Sequence, residues 1–105
     1  MKNNLGKTAT KVIGGAIDTP DGVEIGQKIY YHDTAVVQFT DNFIILHDGM
    51  WKTQTTLRRM NQASQQFGLG YSIYQKKFEW YCVYDGVTMK FDYGELIIQR
   101  RNGEQ

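Results

Sequence analysis

Hydrophobic positions along the chain follow two different periods. Residues 28–48 carry them in short blocks rich in Ile, Val, Tyr and Phe: Lys28–His32, Ala35–Thr40 and Phe43–His47. Blocks of this length and composition read as strands. Asp41-Asn42 and Asp48-Gly49 punctuate them as turns. Over residues 53–67 the period lengthens to that of a helix. Leu57, Met60, Ser64 and Phe67 share a stripe with Ala63 beside it, and Thr55, Arg58, Arg59, Gln62, Gln65 and Gln66 fall opposite. Thr53 has the chemistry of an N-cap and Gly68 that of a helix stop, with Leu69 placed to pack back onto Ala63. After Gly70 the period returns to two. Tyr71–Lys76 and Glu79–Tyr84 are expected as strands joined at Lys76-Lys77-Phe78. Asp85-Gly86 is a hairpin dipeptide, Val87–Tyr93 an alternating half-buried strand and Glu95–Gln99 a last short strand.

This order predicts an α+β fold: a small antiparallel sheet of about six to seven short strands, three before the helix and a four-strand meander after it, with one helix packed on it. Residues 1–26 are rich in Gly, Thr and Lys. Beyond the Thr19-Pro20-Asp21-Gly22 turn signal and a short edge strand at Val12-Ile13, they are expected to be loosely ordered. The domain proper is placed at 27–99, and 100–105 is expected as a frayed tail. There is no internal repeat and no low-complexity stretch.

Composition narrows the classes of function. With 105 residues the chain has the size of one domain. The single cysteine, Cys82, excludes an internal disulfide and a cysteine-based zinc site. The longest apolar run, Phe43-Ile44-Ile45-Leu46, is far short of the roughly 20 residues that span a bilayer. A soluble cytoplasmic protein is the expectation, without cofactor or metal. No phosphate-binding loop, dinucleotide fingerprint or nucleophile elbow occurs.

Net charge is +1, which excludes binding through bulk charge. The total is a sum of unlike blocks. Residues 1–17 hold three lysines and no acid. Residues 18–48 hold six acids against Lys28. Residues 49–84 hold Lys52, Arg58, Arg59, Lys76 and Lys77 against Glu79. A basic face is therefore expected around the helix start and the hairpin after it. The helix also reverses the usual charge order. No acid occurs in residues 53–68, although acids are favoured in a first turn. Lys52, Thr53, Thr55, Thr56, Arg58 and Arg59 instead offer hydroxyls, backbone N–H groups and guanidinium groups to an anion. The competing interpretation is a threonine cap beside solvated arginines.

The same segment, Gly49-Met50-Trp51-Lys52-Thr53-Gln54-Thr55-Thr56-Leu57-Arg58-Arg59-Met60-Asn61, fits a Gly-x-Trp-x-Thr-x-Thr-Thr-x-x-Arg-x-Asn pattern, with either arginine able to stand for the motif's. It resembles a family of small bacteriophage-encoded proteins, as do Asp33–Val37 and Glu79-Trp80-Tyr81, over roughly residues 30–98. The resemblance implies a phage origin and action in the host cytoplasm. It supplies no mechanism.

Other candidates carry less. Tyr71, Tyr74, Lys76, Lys77, Trp80, Tyr81 and Tyr84 interleave aromatic and basic residues as base-stacking sheets do. However, Trp80, Cys82 and Tyr84 alternate with Tyr81 and Val83, so one face must be core. His32-Asp33 and His47-Asp48 could serve acid–base chemistry or a metal only if the fold joined them. Cys82, inside an apolar strand, reads as structural. The expectation is a non-enzymatic phage protein that binds nucleic acid or a phosphate-like anion. Its site would comprise Lys52, Thr53, Thr55, Thr56, Arg58, Arg59, Lys76 and Lys77, with aromatic contacts from Trp51, Tyr74 and Tyr81. The alternative is a protein-interaction module that redirects a host factor. Self-association through a sheet edge is a further option.

Overall fold

The computed structural model describes residues 10–49, 53–91 and 94–101. Nine elements follow in order: β1 (Thr10–Thr19), β2 (Gly22–Tyr31), β3 (Thr34–Phe39), β4 (Phe43–His47), α1 (Gln54–Phe67), β5 (Tyr71–Lys76), β6 (Glu79–Tyr84), β7 (Val87–Lys90) and β8 (Glu95–Gln99). The α+β class and the helix stand as read, but the strands number eight and divide between two antiparallel sheets. One sheet has the order β1-β2-β3-β4-β8 and the other β5-β6-β7.

Two expectations are corrected. Residues 10–26 are not loose. Thr10–Thr19 pairs with Gly22–Tyr31 residue for residue, around a turn in which the Asp21 amide donates to Thr19 Oγ1 at 3.1 Å. The low apolar content of this segment hid a strand pair stabilised by backbone pairing. Its far end curls over the β3–β4 turn, where Asn42 Nδ2 donates to Glu24 at 3.2 Å. Gly26 permits the crossing, because a Cβ there would collide with the Phe39 carbonyl. The second correction concerns the last strand. It leaves the meander and pairs with β4 in register Ile44↔Ile98 and Leu46↔Leu96, which closes the core from the other sheet. The start of the tail is also anchored: Arg100 Nη1 donates to the Thr40 carbonyl at 2.7 Å.

The core lies between the two sheets and the helix. Ile29, Val37, Ile44, Leu46 and Ile98 of the first sheet meet Met60 and Ala63 of α1 and Ile73, Trp80 and Cys82 of the second. Trp80 packs edge-on against Phe91 at 5.8 Å. Thr53 caps the helix by accepting from the Thr56 amide at 3.1 Å, and Gly68 ends it with φ 64. Leu69 is buried, and its amide donates to the Ser64 carbonyl.

The helix also seals an exposed strand edge. β5 is an edge strand, and its outward backbone groups need partners. Asn61 supplies two: its Nδ2 donates to the Ile73 carbonyl at 2.9 Å and its Oδ1 accepts from the Ile73 amide at 2.8 Å. One turn on, Ser64 Oγ donates to the Tyr71 carbonyl and accepts from the Tyr71 amide. Near the helix start, Gln54 Nε2 donates to Gln75 Oε1 at 2.6 Å. Residues 54, 61 and 64 thus run down one helix face, and their five hydrogen bonds fix α1 against β5. The asparagine of the sequence motif has a structural role.

Candidate functional site

Two surfaces gather the sequence-predicted residues. The first is a cleft of about 490 Å³ between the β2–β3 turn and the helix start, lined by Tyr31, His32, Asp33, Thr34, Val36, Asp48, Thr53, Thr55 and Thr56. A bulge shapes it. Ile29 pairs with Val37 and Tyr30 with Ala35, so Val36 is the extra residue, and its buried side chain lines the cleft. Bulges re-aim side chains in this way. His32 takes φ 58, a conformation costly for a residue with a Cβ. Its ring lies 4.4 Å from the Tyr31 ring.

The cleft differs from the expected anion cradle. Thr53 is committed internally: its hydroxyl accepts from the Thr56 amide and donates to Thr56 Oγ1 at 3.0 Å. Arg59 lies over the Tyr31 ring at 5.6 Å and its Nη1 donates to Gln62 at 3.1 Å. That placement is a cation–π contact. Arg58 is exposed on the outer helix face. The described residues lining the cleft include two carboxylates, Asp33 and Asp48, and no lysine or arginine. Trp51 and Lys52 lie outside the described residues.

The second surface is the outer face of β5-β6-β7. Register places Tyr74 opposite Tyr81, and Tyr81 opposite Lys90. The two tyrosine rings stack at 5.4 Å with an interplanar angle of 24°. Tyr74 is 42 % exposed. Trp80 and Cys82 point the other way and are buried, which settles which face is core. Lys76 is exposed on the same outer face, and Lys77 and Phe78 form the turn beyond it. Both turn residues have positive φ, 53 and 68, and Phe78 is 88 % exposed. A large aromatic in that conformation is strained and gains no burial there. Glu79 bridges Lys90 at 2.7 Å, and the Lys90 ammonium holds its carboxyl below the usual carboxylate range. Lys76 and Lys77 make no ion pair among the described residues. Sequence reading missed Lys90 and Phe78. The pairing register would have exposed Lys90, while nothing in Lys77-Phe78 has turn chemistry.

The Gln54–Gln75 bond ties the first helical residue to the β5 residue next to Lys76. Gln75 pairs with Trp80 and so faces away from Tyr74 and Tyr81. Other candidates separate. His47 is not in the cleft; its Nδ1 accepts from the Gly49 amide at 2.9 Å. No group of three or more His, Cys, Asp or Glu able to hold a metal occurs among the described residues. No helix among them is long and apolar enough to cross a membrane.

A family model described as Kyanoviridae Gp96 protein matches residues 2–98, extending the phage resemblance toward the N-terminus. No curated protein and no solved structure matches the chain.

Proposed function

The chain belongs to the Kyanoviridae Gp96 family of phage proteins, and from that premise we propose that it is a non-enzymatic protein that binds single-stranded nucleic acid. The observation that carries the reading is the stacked Tyr74–Tyr81 pair on an exposed sheet face, flanked by lysines. Bases stack on exposed aromatic rings whatever their sequence, and lysines beside them follow the phosphates. The strained Lys77-Phe78 turn supports the same surface, because strain persists where a surrounding structure or a function holds it. The expected anion site thus moves from the helix start to the β5–β6 hairpin. Lys76, Lys77, Tyr74 and Tyr81 keep their assigned roles, and Phe78 and Lys90 join them.

The test is a titration of labelled single-stranded DNA and RNA at low salt, read by fluorescence anisotropy. Tyr74→Ala and Tyr81→Ala should each weaken binding by about 1–3 kcal/mol. Both sites are on the solvent face, so folding should survive. A wild-type protein with no affinity for either polymer overturns the reading. The alternative, a protein-interaction module, would then rest on Val23 and Ile25, exposed by 66 % and 77 % on the β1–β2 hairpin.

A further inference from the structure

We infer that the cleft between the β2–β3 turn and the helix start is a pocket for a single unpaired guanine base. The inference rests on the reading of the protein as a binder of single-stranded nucleic acid and names a base that it recognises. The cleft's volume of about 490 Å³ falls within the roughly 300–1,000 Å³ of small-molecule sites. Its wall is apolar where Tyr31 and Val36 contribute, as a flat ring requires.

The polar groups set the edge. Asp33 is exposed and makes no hydrogen bond or ion pair among the described residues. Asp48 is buried and already engaged. An ionised carboxylate only accepts hydrogen bonds, through two oxygens. Guanine alone among the bases places two donors side by side, its N1–H and its N2 amino group. Adenine and cytosine set an acceptor beside their amino group, and uracil flanks its N–H with two carbonyls. A carboxylate therefore gains two bonds from guanine and meets a repelling lone pair on each of the others. Next to guanine's N1–H stands the O6 acceptor. The hydroxyls of Thr34 and Thr55 line the same cleft and are not used elsewhere among the described residues.

The experiment uses the full chain and nuclear magnetic resonance. Guanosine, inosine, uridine and single strands with or without one guanine are titrated in parallel. Guanosine should shift the amides of residues 31–36 and 53–56, inosine less, because it lacks the N2 amino group, and uridine not at all. A guanine-containing strand should shift the same amides together with residues 74–81. Asp33→Asn, at an exposed position, should lower affinity for the guanine-containing strand about tenfold and leave an oligothymidine unchanged, as loss of one good base contact does. If strands shift residues 74–81 but guanine never shifts the cleft, the pocket is refuted and the sheet-face reading stands. If guanosine shifts the cleft but no strand binds, the pocket serves a free nucleoside and the sheet-face reading falls. No shift from any probe overturns both.

Discussion

Cys82 and Tyr71 face the interior from neighbouring strands, and both carry ionisable groups that are buried. Tyr71 donates its hydroxyl to the Met60 carbonyl at 2.6 Å, and burial pushes its phenol well above the usual range. Burial likewise pushes the Cys82 thiol from 9.0 up to about 12. The folded state keeps both groups protonated when the unfolded chain would release the proton. Their contribution to stability is therefore complete below the unfolded thiol's pKa of 9.0 and is lost as pH rises toward about 12. Urea unfolding at stepped pH should show stability falling through this window, with a shallower fall for Cys82→Ala. A wild-type curve flat across the window would contradict the thiol's burial. The same protonation makes Cys82 unreactive, so a thiol reagent at neutral pH should label it only as fast as the chain opens.

At the scale of the element, legibility followed the strength of the local signal. The helix stood out because its cap, stripe and stop agree: Thr53, Met60 and Gly68 each do in the structure what their chemistry requires. The first strand pair did not, because Gly14, Gly15, Gly22 and Gly26 dilute its apolar pattern and long-range pairing cannot be read locally. The Lys76-Lys77-Phe78 junction was legible as a break but not as a strained turn. That turn yields a prediction. Asn-Gly is the favoured pair for two residues with positive φ. Replacing Lys77 by Asn and Phe78 by Gly should stabilise the protein by about 1–2 kcal/mol, since non-glycine residues resist this conformation. It should also weaken binding to single strands, because it removes a charge and an exposed ring. Thermal unfolding and anisotropy on the same double variant would separate the two effects. A variant that is more stable and binds unchanged would show that the turn has no part in the site.

Across the whole molecule, a net charge of +1 hides a local arrangement. The six acids of residues 18–48 belong to the first sheet, its turns and the cleft, whereas Lys76 and Lys77 occupy the far end of the second sheet. Fold topology, not composition, keeps these charges apart, and this is the part of the site that the sequence left open. Glu79 neutralises Lys90 locally, which on the proposed reading leaves Lys76 and Lys77 as the principal phosphate contacts. Each phosphate neutralised on a single strand releases condensed counterions, with a slope of about −0.7 per contact in log affinity against log salt. Two lysines therefore predict a slope of roughly −1 to −2, far shallower than that of a polybasic protein. Lys76→Ala or Lys77→Ala should each reduce its magnitude by about 0.7, whereas Tyr74→Ala should lower affinity at every salt concentration and leave the slope unchanged. A steep slope that survives both lysine changes would place the phosphate contacts elsewhere, on Arg58 and the helix start. On the proposed reading, stacking carries the affinity and charge only modulates it, the arrangement open to a nearly neutral protein.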